Sequence, residues 1–135
     1  MKLKRKIFLL IPIAIITGHI IYTWFVILFV NHWATWRHYV GLALFIALIY
    51  VLIRSFVQAA VATGIYLVTG AFNLLTITPD VLLAWGFRIG PLEVSLPIFQ
   101  PRLFLILFIY IVLNFDTLVD IRLDYKEAKE LRQER

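Results

Sequence analysis

The sequence predicts an all-α integral membrane protein, a bundle of four transmembrane helices with an outer proline-rich segment and a charged C-terminal helix. The 135 residues are 62% hydrophobic and only 16% charged, whereas a soluble domain is about 45–50% apolar and about 25% charged. Long apolar runs alternate with short polar breaks, and a helix needs about 20 apolar residues to cross a bilayer. We therefore expect one membrane domain over residues 1–135, without a separate soluble catalytic domain.

The first predicted span covers residues 7–30 and follows a basic cluster. This run is too long for the apolar region of a signal peptide, which is about 7–15 residues. Basic residues beside a membrane helix favour the cytoplasmic side, and anionic lipid headgroups are their expected partners. The cluster consists of Lys2, Lys4, Arg5 and Lys6 and supplies most of the net charge of +5. A nucleic-acid partner is not expected, because no basic face is interleaved with exposed aromatic residues.

Residues 39–71 are apolar except for one charge, Arg54, and allow two interpretations. A single helix would be about 50 Å long, well beyond the hydrocarbon core of about 30 Å, and would carry Arg54 near its middle. A helical hairpin instead places Arg54 at the cytoplasmic face, where arginine is favoured. We prefer the hairpin, with the second span over residues 38–54 and the third over residues 57–77.

The outer segment, residues 78–102, contains four prolines, and the sequence predicts a β-hairpin for part of it. Residues 92–96 alternate strictly between apolar and polar side chains. A turn at Gly90 and the following proline would pair Ile89 with Leu92 and Arg88 with Glu93, which gives one apolar face and one pair of opposite charges. The alternative interpretation is an irregular proline-rich loop.

The last predicted span covers residues 103–119, and a charged helix over residues 120–135 follows it. Four spans place both basic termini on one side of the membrane, whereas three spans would separate them. We therefore predict a protein of the plasma membrane with both termini in the cytoplasm.

Several polar side chains within the apolar runs are candidates for a functional role. An ionisable residue inside a membrane marks a functional site by default, and His19 lies near the middle of the first span. It would serve as a haem ligand, a quinone contact or a proton relay, or else as a neutral side chain that donates one hydrogen bond to a neighbour. The candidates for a polar pathway through the membrane are His19, Arg54, Gln58, Asn114 and Asp116.

Two further patterns indicate surfaces for contact with other helices. Small residues allow close approach of helices in lipid, and the third span contains Ala60, Gly64, Gly70 and Ala71. They would serve either an internal contact or an interface with another subunit. On the charged helix, acidic residues continue the spacing of Asp116, while basic residues lie on roughly the opposite side, which suggests a helix that binds a partner. The residues of this predicted partner-binding helix are Asp120, Arg122, Asp124, Lys126, Glu127 and Lys129.

No catalytic motif is present in the sequence, and the absence of cysteine excludes thiolate chemistry. The first functional hypothesis is therefore a non-catalytic accessory or assembly subunit of a membrane complex, whose partners are the lipid bilayer and other membrane subunits or further copies of itself. One alternative is a homo-oligomeric transporter or pore. The other is a membrane anchor subunit that binds quinone or haem at His19. No cofactor is expected under the first hypothesis.

Overall fold

The computed structural model describes residues 3–30, 33–79, 86–89, 92–95 and 100–133. In chain order these residues form α1 (Leu3–Phe29), α2 (Trp36–Arg54), α3 (Phe56–Ala71), β1 (Gly86–Ile89), β2 (Leu92–Ser95) and α4 (Pro101–Gln133). Helices α1, α2 and α4 contain stretches that are long and apolar enough to cross a membrane. Helix α3 is also apolar but has only 16 residues.

A single non-helical residue, Ser55, separates α2 from α3. Its backbone is extended, with φ −157° and ψ 117°. Its N–H donates to the carbonyl of Val51 at 2.8 Å and so closes α2, while its hydroxyl accepts a long hydrogen bond of 3.4 Å from the N–H of Gln58 at the start of α3. Serine is a favoured residue at the N-terminus of a helix for this reason. The break that the sequence predicts after Arg54 is therefore present.

Helix α3 lies between α2 and α4, and α1 packs against α4. The core residues of α1 recur at the spacing of one helical face. Those of α3 and α4 face each other across their contact. The core side chains of the three helices include Leu9, Ile13, Ile16 and Ile20, then Ala59, Ala60, Tyr66 and Leu67, and finally Leu103, Ile106 and Tyr110. The outward faces are also apolar, so that Phe29 is 74% and Ile53 81% exposed.

Helix α3 ends six residues before the limit predicted for the third span, residues 57–77, so the last part of that stretch is not helical as expected. Asn73 adopts a left-handed backbone conformation, with φ 59°. Its N–H donates to the carbonyl of Gly70 at 2.9 Å, and the N–H of Leu74 donates to that of Thr69 at 3.0 Å. These two bonds form a Schellman motif, a common helix ending in which asparagine replaces the usual glycine.

The chain beyond α3 folds back into the bundle. We call residues 72–79 the capping segment, because they cover the ends of α3 and α4. Leu75 and Ile77 are fully buried in the core although their backbone is not helical. These two side chains extend the apolar run in the sequence, so the hydrophobic pattern alone predicts a longer helix.

Strands β1 and β2 pair antiparallel in a two-stranded sheet. Arg88 lies opposite Glu93 and Ile89 opposite Leu92, which is the register that the sequence predicts. The predicted turn at residues 90–91 lies outside the described residues. Helix α4 then runs without interruption from the predicted last span into the predicted charged helix.

Candidate functional site

The N-terminus of α1 and the middle of α4 meet in an ion pair. The guanidinium of Arg5 donates a hydrogen bond to the carboxylate of Asp120. Nearby on α1, the ammonium of Lys6 lies 5.0 Å from the ring centroid of Phe56, the first residue of α3. Two residues of the predicted headgroup cluster, Arg5 and Lys6, therefore connect α1 to α4 and to α3 at this end of the bundle. Lys4 is exposed, and Lys2 lies outside the described residues.

Beyond Asp120, α4 carries exposed side chains of both charges. Asp124 lies one turn after Asp120, while Arg122 and Lys126 lie on roughly the opposite side of the helix. Tyr125 is 73% exposed. The charges of these exposed residues are therefore segregated around the helix. Glu127 and Lys129 belong to the same helix, but their side chains are not among those described.

The four small residues singled out in the third span are used within the chain. The hydroxyl of Tyr110 donates to the carbonyl of Ala60, and its ring packs beside Gly64, where an added Cβ would lie 3.3 Å from it. A Cβ on Gly70 would lie 2.6 Å from the side chain of Leu103. The fourth residue, Ala71, is fully buried, and its carbonyl accepts the N–H of Gln100 at 3.1 Å. These residues give α3 close contact with the start and the middle of α4.

The structure does not bring the predicted pathway residues together. Arg54 and Gln58 are exposed at the junction of α2 and α3, and the guanidinium of Arg54 lies 5.1 Å from the Tyr50 ring. Asp116 is exposed on α4. Within the described part of the chain, these side chains and the two discussed next do not form a continuous polar line.

Asn114 joins α4 to α1. Its Nδ2 donates to the carbonyl of Phe8 at 3.3 Å and to that of Tyr110 at 3.1 Å. The side chain is buried, and its Oδ1 atom has no hydrogen-bond partner among the residues that the structure describes. Its contacts are those of a residue that links two helices.

His19 lines an open pocket of about 420 Å³ between α1 and the start of α4. Its Nδ1 lies 2.9 Å from the carbonyl oxygen of Ile15. A carbonyl only accepts hydrogen bonds, so Nδ1 carries a proton, and Nε2 presents a lone pair when the ring is neutral. The other lining residues are Ile15, Gly18, Tyr22 and Arg102. The bond of His19 therefore lies within its own helix and not with a neighbouring one.

Sequence reasoning singled out His19 but missed Arg102. The two residues lie on different helices, far apart in the sequence, and only the packing of α1 on α4 brings them to one pocket. Arg102 is an isolated charge at the start of an apolar run, which was the one available signal.

A second group of buried polar residues, at the capping segment, was also missed. His38 is buried, and its Nδ1 accepts the N–H of Thr35 at 3.0 Å. Its Nε2 therefore carries the proton and donates to the carbonyl of Thr78 at 3.0 Å. Both ring nitrogens are thus occupied by hydrogen bonds within the chain.

Further bonds attach the capping segment to the remaining helices. The hydroxyl of Thr23 on α1 donates to the carbonyl of Ile77 at 2.5 Å. The side-chain Nε2 of Gln100 donates to the carbonyl of Leu75 at 3.0 Å and to Oδ1 of Asn73 at 2.7 Å. Thr23 is a single polar position in an apolar run, and no local pattern marks it or Gln100.

Among the described residues, no group of three or more histidine and acidic side chains is arranged to hold a metal ion. A haem with two histidine ligands would need a partner for His19. His38 does not fit that role, because both of its nitrogens are engaged.

No known protein family matches the chain, and neither a characterised protein nor a solved structure is significantly similar to it.

Proposed function

We propose that the chain is a membrane-embedded, non-catalytic accessory or assembly subunit with four spans, which binds its partner through the charged part of α4, from Asp116 towards its C-terminus. Exposed apolar side chains cover the outward faces of all four helices. Contiguous apolar patches of this extent are rare on soluble monomers and are expected where lipid or another protein covers the surface. They support a position in the bilayer.

The spacing of polar and aromatic residues supports the same position. From Arg5 to Trp24, α1 rises about 28 Å, and from Trp36 to Arg54, α2 rises about 27 Å. Both distances are close to the hydrocarbon thickness of about 30 Å. The rings of Trp24 and Tyr39 lie 5.4 Å apart, so that the aromatic ends of the two helices are level. Aromatic residues favour such an interface.

Helix α3 needs the capping segment to complete its crossing. Its 16 residues rise only about 24 Å. Non-helical backbone is tolerated at membrane depth where it is buried in protein and its polar groups are bonded. The capping segment meets this condition through Thr23, His38 and Gln100. This arrangement supports four spans with both termini on one side of the membrane, and the basic residues at the start of α1 favour the cytoplasmic side.

The observation that carries the proposed function is the continuation of α4 beyond the Arg5–Asp120 pair. Like charges one turn apart destabilise an isolated helix slightly, and Asp116, Asp120 and Asp124 share one side of α4, although the ion pair with Arg5 offsets the charge of Asp120. A partner with basic residues would offset this repulsion. Because the described polar residues do not line a continuous path, the transporter hypothesis has less support.

Extraction from the native membrane in mild detergent, followed by size analysis and mass spectrometry, tests the proposal. We expect the chain to co-migrate with other subunits and to separate from them when Asp116 and Asp124 are both replaced by asparagine. Arg54→Gln is the matched control, because it removes an exposed charge at the same end of the bundle. A chain that migrates alone as a homo-oligomer and moves solute in liposomes would contradict the proposal.

A further inference from the structure

We propose that the pocket between α1 and the start of α4 binds the headgroup of an anionic phospholipid that carries a free hydroxyl group. The inference rests on the membrane position proposed above. It concerns the opposite end of the bundle from the charged part of α4, and a different ligand.

The charge of the ligand follows from Arg102. Its guanidinium is exposed in the pocket, and no described acidic residue forms an ion pair with it. From Asp120 back to Arg102, α4 rises about 27 Å, so that Arg102 lies near the outer boundary of the hydrocarbon core. Arginine binds phosphate through paired, charge-assisted hydrogen bonds. A phosphate group of the outer leaflet is therefore a suitable counter-ion.

The hydroxyl group follows from His19. Because Nδ1–H is bound to the Ile15 carbonyl, Nε2 of the neutral ring acts as an acceptor. An acceptor repels a phosphate oxygen but binds an O–H group. A headgroup with both a phosphate and a hydroxyl, such as that of phosphatidylglycerol, satisfies Arg102 and His19 together. A neutral quinol would satisfy His19 but would supply no counter-ion for Arg102.

The acyl chains have a surface on which to lie. Ile7 and Ile11 are 49% and 38% exposed, and they share the α1 face of the pocket residues Ile15, Gly18 and Tyr22 by helical spacing. This apolar face leads from the pocket towards the other end of the bundle. The pocket itself is open above Gly18, where an added Cβ meets no atom within 4 Å.

Native mass spectrometry of the purified full chain, titrated in detergent with defined lipids, tests the inference. We expect phosphatidylglycerol to bind about tenfold or more tightly than phosphatidylcholine, and more tightly than phosphatidylmethanol, which has the same charge but no hydroxyl group. Arg102→Gln should abolish the preference over phosphatidylcholine. His19→Leu should abolish only the preference over phosphatidylmethanol, whereas His19→Gln, which retains an acceptor, should restore it.

Occlusion of the pocket gives a test that does not depend on polar groups. Gly18→Leu should block phosphatidylglycerol without disturbing the fold, because Gly18 is exposed and a Cβ added there meets no described atom within 4 Å. Ala43→Leu is the matched control for size, because Ala43 is an exposed small residue on α2. Arg37→Gln is the matched control for charge, because the Arg37 guanidinium lies over the Trp36 ring at the same end of the bundle.

Three results would overturn the inference. The first is equal binding of all lipids by the wild-type chain and the variants. The second is that soluble glycerol phosphate competes for the pocket as well as phosphatidylglycerol does, which would make free phosphate the ligand. The third is that a short-chain quinol displaces the bound lipid whereas phosphatidylglycerol does not. A chain that fails to insert into vesicles at all would instead contradict the proposed membrane function, so the two failures are distinguishable.

Discussion

The Nε2 atom of His38 donates a hydrogen bond to the carbonyl of Thr78 at 3.0 Å, and this bond attaches the capping segment to α2. The imidazole is held in this tautomer because its Nδ1 accepts the N–H of Thr35. A second attachment lies beside it, where the N–H of Thr76 donates to the carbonyl of Arg37 at 3.3 Å. The non-helical segment is thereby held between helices that are otherwise packed by apolar side chains.

Replacement of His38 by leucine should destabilise the folded chain by about 1–3 kcal/mol, because the buried carbonyl of Thr78 and the N–H of Thr35 each lose their hydrogen bond to the imidazole. Unfolding in mixed micelles, followed by tryptophan fluorescence, measures this loss. Thr69→Val is the control, because the Thr69 hydroxyl donates to carbonyls of its own helix. Equal unfolding of His38→Leu and the wild type would show that the bond to Thr78 does not contribute to stability.

Glycine at position 41 is required by the close approach of the capping segment to α2. A Cβ there would lie 2.7 Å from the carbonyl oxygen of Thr76, a backbone atom that cannot rotate away. We expect Gly41→Ala to cost about 1–3 kcal/mol, as overpacking does. Gly18→Ala is the matched control, since it meets open space and gains helix propensity. The same unfolding measurement applies, and similar losses in both variants would contradict this explanation.

The sequence predicts the parts of this fold that have local causes. The charge of Arg54 within an apolar run predicts the break that Ser55 makes, and alternation predicts that Arg88 faces Glu93. The early end of α3 was missed, because the apolar Leu75 and Ile77 continue its pattern. Asn73 was the available signal, since asparagine tolerates the left-handed conformation at a helix end.

The candidate site was less predictable, because its residues come from distant parts of the chain. His19 is visible as a single ionisable residue in an apolar run, but its relation to Arg102 depends on how α1 packs against α4. The buried contacts of His38 depend in the same way on the fold of the capping segment. A single sequence carries no information on such pairs.

Two tyrosine hydroxyls should contribute little to stability although both are bonded across helices. Tyr110 donates to the carbonyl of Ala60, and Tyr66 donates to that of Gly41 at 3.1 Å. Hydrogen bonds between membrane helices average about 0.6 kcal/mol, because the unfolded chain in the membrane also finds partners. We expect Tyr110→Phe and Tyr66→Phe each to cost about this amount in the micelle unfolding measurement. A loss of several kcal/mol in either variant would point to a role beyond this one bond.

The four-span arrangement predicts which positions are accessible from each side of the membrane. The chain has no cysteine, so single cysteines can be introduced without background. An impermeant thiol reagent added outside intact cells should label Trp33→Cys but neither Lys4→Cys nor Lys126→Cys. All three side chains are exposed in the structure. Labelling of Lys126→Cys but not of Lys4→Cys would require an odd number of spans.

The ion pair between Arg5 and Asp120 should contribute less to stability than its position suggests. The side chains are 32% and 49% exposed, and pairs in contact with water contribute about 0–1 kcal/mol. A double-mutant cycle with Arg5→Gln and Asp120→Asn should therefore give a coupling energy below about 1 kcal/mol. The direction in which α4 leaves the bundle then depends on the packing of Asn114 and its apolar neighbours, and removal of nearby acidic charges should leave the fold intact. A coupling of several kcal/mol would instead mean that charge substitutions on α4 disturb the bundle. Loss of the partner in the double variant Asp116→Asn, Asp124→Asn would then no longer identify a binding surface.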